Sequence, residues 1–455
     1  RSGTPSPPRR SPRGTIPSLE APMTPIHRRS SSEDAAAPAA PTAPRGAGRL
    51  RELDGLRGLA AVVVLIHHCL LTVPALAEVG ARPGTVPGGA LERLLALTPA
   101  HLLWGGYEAV LVFFILSGVA LSYPIARRRA AGRSFDWADY APRRLIRLWV
   151  PAGASTLMAI ALILLVPRSN DASLGAWVRA HYVSDISIKQ TVRELALLPT
   201  YAYRNSVLWS LHAEAAFSIL LPLVILAVAL ASRARLSGAL GAAALAVVLV
   251  SGDPGSGLFL PVFAIGAVLG WRWGRMDDPL PAMPARWASP AAVACLIAMT
   301  APWWAAPTAW PHLLSGAPSE ALASLGSPAS PWGHRVGSAV AVASAAAAIA
   351  LIVRAGALRP LLRSRAAQLS GELSFSLYLV HTPVVLLVRT LAPSMSPWWM
   401  LLAGPAAALP VAWLFHRLVE RPSHRCSRAA GRWASGALTT LLSAASPGNR
   451  GRHVV

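Results

Sequence analysis

The sequence predicts an all-α fold: a polytopic integral membrane bundle of about ten transmembrane helices with both termini cytoplasmic. Three observations predict it. Of the 455 residues, 54% are hydrophobic and only 14% are charged, where a soluble globular chain carries roughly a quarter charged. The apolar residues, which raise the mean hydropathy to +0.46, gather into runs near the ~20 residues that cross a bilayer. The arginines gather between alternate runs, the asymmetry expected of cytoplasmic loops.

Taken in order, residues 1–46 are rich in Pro, Ser and Arg and contain no apolar run. Such a segment cannot bury a core, and it is expected to be a disordered cytoplasmic tail. The membrane domain is expected over 47–423. Its apolar runs cover 58–77, 103–125, 148–166, 207–231, 236–251, 257–273, 288–306, 336–353, 373–392 and 397–418. The fifth is short and Gly-rich. Glycine and proline inside such runs are tolerated, because neighbouring helices satisfy the freed backbone groups.

With the N-terminus inside, the inner loops hold Arg127, Arg128, Arg129, Arg133, Arg143, Arg144 and Arg147, and later Arg354, Arg359, Arg363 and Arg365. An even number of crossings returns the C-terminus to the same side, where 424–455 form a basic cytoplasmic tail. Two outer loops are long. Residues 167–206 mix charge with aromatics and suit short interfacial helices, while 307–335 are rich in Pro, Ser and Ala.

The formal net charge is +22, from 42 basic and 20 acidic residues. An excess of this size points to nucleic acid or to an anionic membrane surface. In a membrane chain, positive inner loops explain it better, and no nucleic-acid partner is expected. Cys69, Cys295 and Cys426 lie far apart with no metal or disulfide spacing, so neither a metal site nor a bound cofactor is expected. Tryptophans such as Trp149, Trp303, Trp304, Trp398 and Trp399 fall near span ends, as an interfacial aromatic belt requires.

Ionisable residues at membrane depth are costly, which makes each a candidate for function. In the first run Arg57 and His68 are eleven residues apart, almost three helical turns, so they share a face with His68 ~16 Å deeper, near the bilayer midplane. A buried imidazole without a counter-charge stays neutral and can take a proton from a hydroxyl. Arg144 and Arg147, at i and i+3, share a face at the cytoplasmic edge of the third run. Guanidiniums so placed can hold phosphates bidentately, or simply snorkel to headgroups. Glu214 lies inside the fourth run, where it can hold a hydroxyl, orient a base or pair with an inward Arg. Trp209 and Ser210 precede it, and Tyr378 and His381 lie on the ninth run.

These residues stand in stretches that resemble the integral-membrane acyltransferase 3 family, multi-pass O-acyltransferases. Leu53-Asp54-Gly55-Leu56-Arg57-Gly58 followed by His68 is similar to the family's opening signature, with its Arg–ten residues–His motif on Arg57 and His68. Phe113-Phe114-Ile115-Leu116-Ser117-Gly118, Arg144-Leu145-Ile146-Arg147 and the Trp209–Phe217 stretch containing Glu214 resemble later motifs. So do Ser374–Pro383, which contains Tyr378 and His381, and the closing Val419-Glu420-Arg421-Pro422. The likeness spans about 50–423, in order.

The resemblance implies an enzyme of the cell (cytoplasmic) membrane that moves an acyl group, acetyl by family habit, from acyl-CoA as co-substrate to a hydroxyl of a carbohydrate, glycolipid or glycosylated metabolite. Arg57, Arg144 and Arg147 would hold acyl-CoA, and His68 would be the general base, with Arg57 and Glu214 beside the chemistry. Trp209, Ser210, Tyr378 and His381 would line the acceptor cavity. The alternative from another class is a multi-pass transporter or flippase with an intramembrane His/Arg/Glu relay.

Overall fold

The computed structural model describes residues 51–81, 88–183, 186–200, 203–251, 259–275, 284–308 and 331–445. Both the 1–46 tail and most of the 307–335 loop lie outside them. No strand occurs among the described residues. The helices are α1 (Arg51–Leu70), α2 (Pro74–Ala81), α3 (Ala90–Ala96), α4 (Gly106–Ala130), α5 (Trp137–Leu165), α6 (Gly175–Ala180), α7 (Ile188–Leu195) and α8 (Leu208–Arg233). After them come α9 (Ser237–Ser251), α10 (Leu260–Arg275), α11 (Ala285–Met299), α12 (Ala301–Thr308) and α13 (Pro331–Ile352). The last three are α14 (Arg365–Leu391), α15 (Met400–Phe415) and α16 (Arg421–Ala445).

Each expected run falls on a helix, and seven helices among the described residues are long and apolar enough to cross a membrane. Three of the expected runs form shorter helices: α9 and α11 of 15 residues and α10 of 16. At 1.5 Å per residue these span only ~23 Å, less than the ~30 Å hydrocarbon layer. For α11, the second short helix α12 follows directly after Thr300.

Helix boundaries differ from the expected runs where local chemistry overrides hydropathy. The first helix starts and stops about seven residues early, because Val73 precedes Pro74 and is sterically biased out of the helical region. His68 therefore sits in the last turn of α1 rather than midway along it. In contrast, α5 begins eleven residues before its apolar run. Asp136 caps its N-terminus by accepting from the Asp139 N–H at 2.9 Å, as N-cap residues do. Its 29 residues reach ~43 Å, so the turns bearing Arg143, Arg144 and Arg147 extend past the apolar stretch.

Glycines set the tightest helix contacts, as in membrane bundles where small residues let backbones approach. A Cβ on Gly58 of α1 would lie 2.5 Å from the Gly371 nitrogen of α14, and one on Gly371 would lie 2.4 Å from the Asp54 carbonyl oxygen. Ten residues beyond these glycines, His68 meets His381. The two helices thus run parallel, in register. Between α4 and α10, a Cβ on Gly266 would stand 2.1 Å from the Ile115 carbonyl oxygen.

The segment 167–206, between α5 and α8, contains the short helices α6 and α7. A fully buried Arg204–Glu194 ion pair at 3.3 Å fastens it, and Arg168 donates to the carbonyls of His181 and Arg204.

Overpacking at Gly266 tests the α4–α10 contact. We expect Gly266→Val to cost about 1–3 kcal/mol or to prevent folding, seen as a lower Tm in detergent. Gly241→Ala, whose added Cβ meets nothing within 4 Å, leaves Tm unchanged or slightly raised.

Candidate active site

The register of α1 against α14, with α4, α5 and α8 alongside, creates two adjoining polar groups. The first surrounds a small cavity lined by Arg57, Phe113, Ser117, Ser210, Glu214 and Tyr378, among others. Arg57 points its guanidinium at the Phe113 ring, 6.0 Å from the centroid, and its Nε is buried without a hydrogen-bond partner. Arg144 donates to Glu214 Oε1 at 2.5 Å and to Ser218 Oγ at 3.0 Å. Ser117 donates to the same carboxylate oxygen at 3.3 Å. Arg147 stays exposed, within electrostatic reach of Arg144, Arg57, Glu420 and Glu214.

The second group is built of imidazoles. His68 Nδ1 lies 2.9 Å from the Val64 carbonyl oxygen and 3.1 Å from His381 Nε2. His381, 1% exposed, places Nδ1 3.0 Å from the Leu377 carbonyl oxygen. A carbonyl only accepts, so both Nδ1 atoms carry the proton. His68 Nδ1–H is then shared between the Val64 carbonyl and His381 Nε2, which also accepts from the Thr382 hydroxyl at 3.2 Å, and His68 Nε2 keeps a free lone pair. Around His68 stand the rings of His381 at 4.8 Å, His67 at 5.1 Å and Trp177 at 5.5 Å. Three aromatic rings thus pack about the imidazole.

Tyr378 joins the groups. It lines the cavity, shares a 2.6 Å hydrogen bond with Ser210 Oγ, and holds its ring 5.8 Å from His381. Since Ser210 donates to the Val207 carbonyl at 2.9 Å, the Tyr378 hydroxyl is the donor in their shared bond.

Arg57, Arg144, Glu214, Ser210 and Tyr378 therefore come together, and His68 comes together with His381. Two expected cavity residues fall elsewhere, and Glu214 takes the Arg-paired place among those left open for it. Glu214 is taken up by Arg144 and Ser117 and has no contact with His68. Trp209 does not line the cavity but lies behind its wall, against Phe114 at 6.1 Å and Phe259 at 5.2 Å. His381 likewise lies beyond the cavity, against the other imidazole. Phe113 and Ser117 were in a quoted motif without an assigned place, and only the fold turns them into the cavity. Trp177 was missed; its one signal was the concentration of aromatics in an outer loop.

With this geometry in hand, comparison with known proteins is decisive. The model of the acyltransferase 3 family, described as an acyltransferase domain, matches residues 50–417, most of the chain. The chain belongs to the acyltransferase 3 family. A stretch of 103 residues, 22% of this chain, is 35% identical to O-acetyltransferase PaAT-1 of Phomopsis amygdali and covers 20% of that protein's length. The matched stretch thus spans about a fifth of that relative. No solved structure matches. This acyltransferase 3 member carries several apolar helices suited to a membrane.

The segment between α5 and α8 carries its own titratable group. Burial pushes the His181 imidazole down to about 4, against the hydrogen bond to the Trp177 carbonyl, which raises it, and with help from the Arg168 charge. The folded state then binds fewer protons than the unfolded chain between about pH 4 and 6.5. The resulting stability is complete above pH 6.5 and is lost as pH falls toward 4. We expect Tm to fall between pH 7 and 5, and to fall less in His181→Gln. Equal drops would show that this imidazole contributes nothing.

Proposed function

We propose that the protein is an O-acyltransferase of the cytoplasmic membrane that uses acyl-CoA, with acetyl as the group moved, to acylate a hydroxyl of a carbohydrate or glycosylated acceptor. One observation carries this reading. A single helix, α1, bears Arg57 in a cationic cavity and, about three turns on, a His68 whose Nε2 lone pair is free.

The cavity chemistry favours an anionic donor. Arg57, Arg144 and Arg147 gather where Glu214 is the one carboxylate lining the cavity, so the local charge is positive. The phosphates of acyl-CoA complete it, and planar guanidiniums suit them. Glu214 acts through Arg144, holding its guanidinium in place. The pantetheine arm then covers the ~16 Å rise from Arg57 to His68, passing Ser210 and Tyr378.

In the transfer, His68 Nε2 takes the proton of the acceptor hydroxyl as its oxygen forms a C–O bond to the thioester carbonyl. The tetrahedral intermediate collapses, the C–S bond breaks, and the imidazolium returns the proton to the CoA sulfur. His381 accepts the His68 Nδ1–H and so orients the ring and favours its cationic form. General-base help supplies ~10²–10⁴-fold, roughly 3–5 kcal/mol of barrier, and positioning supplies more. The ten-span arrangement with cytoplasmic termini agrees with α1 and α14 running parallel and with the arginine-bearing start of α5.

Purified protein in nanodiscs tests the scheme. His68→Ala is expected to lower kcat by at least 100-fold with the KM for acetyl-CoA within about twofold, in line with the general-base range; transfer at the wild-type rate overturns it. Arg144→Ala with Arg147→Ala is expected to raise the KM for acetyl-CoA by on the order of tenfold or more, the loss of charge-assisted phosphate bonds. Unchanged binding would reduce both arginines to topology signals.

A further inference from the structure

The rings around His68 have different origins. His67 and His381 belong to the spanning helices α1 and α14, and their Nδ1 atoms are tied to the carbonyls of Trp104 at 2.8 Å and Leu377 at 3.0 Å. Trp177 arrives from α6, in the segment between α5 and α8. It is half-buried, so part of its surface is left for a ligand.

Local structure holds α6 firmly. Gly175 adopts φ +83°, a left-handed conformation open to glycine, and a Cβ there would meet Pro74 of α2 at 3.2 Å. On either side of Trp177, Leu174 and Val178 are buried together with Leu386 of α14. The Trp177 carbonyl accepts from His181 Nδ1 at 2.8 Å, and the His181 ring lies 4.8 Å from the indole. That bond fixes the His181 proton on Nδ1 and leaves its Nε2 as an acceptor. His181 also lies within electrostatic reach of His68. An aromatic ring 5.5 Å from that of His68, next to an imidazole acceptor, matches what a sugar presents: a C–H face to stack and hydroxyls to donate.

We propose that Trp177 and His181 form the acceptor subsite, on which a pyranose ring stacks so that one of its hydroxyls meets His68 Nε2. The proposal rests on the reading of His68 as the general base. It places acceptor entry on the α6 side of His68, away from the arginine-lined cavity that takes the donor. Trp177 supplies the ring platform, and His181 receives a second hydroxyl. The step itself is the transfer written above: a C–O bond forms, a C–S bond breaks, and the hydroxyl proton ends on the CoA sulfur.

The test uses the full chain in nanodiscs with acetyl-CoA, a panel of methyl pyranosides, and n-butanol as a ringless alcohol. Trp177→Ala is expected to raise the KM for the accepted pyranoside about tenfold or more, as loss of a stacking contact does. The KM for acetyl-CoA and for butanol should stay within about twofold, and Trp177→Phe should recover most of the pyranoside affinity. His181→Gln should weaken the pyranoside alone. An unchanged pyranoside KM in Trp177→Ala, an equal rise for butanol, or a wild type that acylates no pyranoside overturns the proposal. If Trp177→Ala does not fold, the Phe and Gln variants decide: a pyranoside KM unchanged in His181→Gln overturns it. The two readings fail separately: an active His68→Ala removes the base, whereas an inactive His68→Ala beside an unchanged Trp177→Ala removes this subsite alone.

Discussion

The close approach of α1 and α14 is the constraint on which the site depends. Glycines at 58 and 371 bring the two backbones together, and because the helices are parallel, equal steps along each keep residues level. Ten residues on, the step that places His68 also places His381, at 3.1 Å. Three residues before His381, Tyr378 reaches the cavity that Arg57 enters from α1. A side chain at either glycine would push the helices apart and change the distance between the imidazoles, whose hydrogen bond tolerates only a few tenths of an ångström.

Electrostatics shape the neighbouring cavity. Burying the Arg144–Glu214 pair sacrifices hydration, and such a pair survives only when further hydrogen bonds satisfy it. Here Ser117 and Ser218 provide them. The pair settles one guanidinium and leaves the cavity positive through Arg57 and the exposed Arg147. Residual charge of one sign, held beside low-dielectric walls, attracts an anion. The same arginines whose positions predict an orientation in the membrane are thus gathered by the fold at one cavity.

A third polar group joins the end of the bundle to this surface. Between α15 and α16 the chain makes a π-helical turn, His416–Glu420, the kind of local widening that often lies at functional sites. Glu420 accepts from Ser376 of α14 at 2.5 Å and from His416 at 2.9 Å. Arg421 donates to His416 Nε2 at 3.1 Å and to Glu372 at 3.0 Å. The Glu420 charge also acts on Arg147. This joint couples α14, which bears His381, to the closing helices and to the edge of the cationic cavity.

Much of this was legible in the chain. Hydropathy located the long apolar helices, since burial in lipid acts on each run by itself, but it missed the 25-residue α16, which stands where a basic tail was expected. Helical spacing put Arg57 and His68 on one face, and Arg144 and Arg147 on another, because 3.6 residues per turn is a local property. The ordered motifs carried the family. Other features belong to the tertiary structure. The pairing of Glu214 with Arg144, the withdrawal of Trp209 behind the cavity wall and the arrival of Trp177 beside His68 depend on which helices touch, and at what height. That is decided by packing between segments far apart in the chain. Local periodicity says which way a side chain points, but only packing decides what it meets.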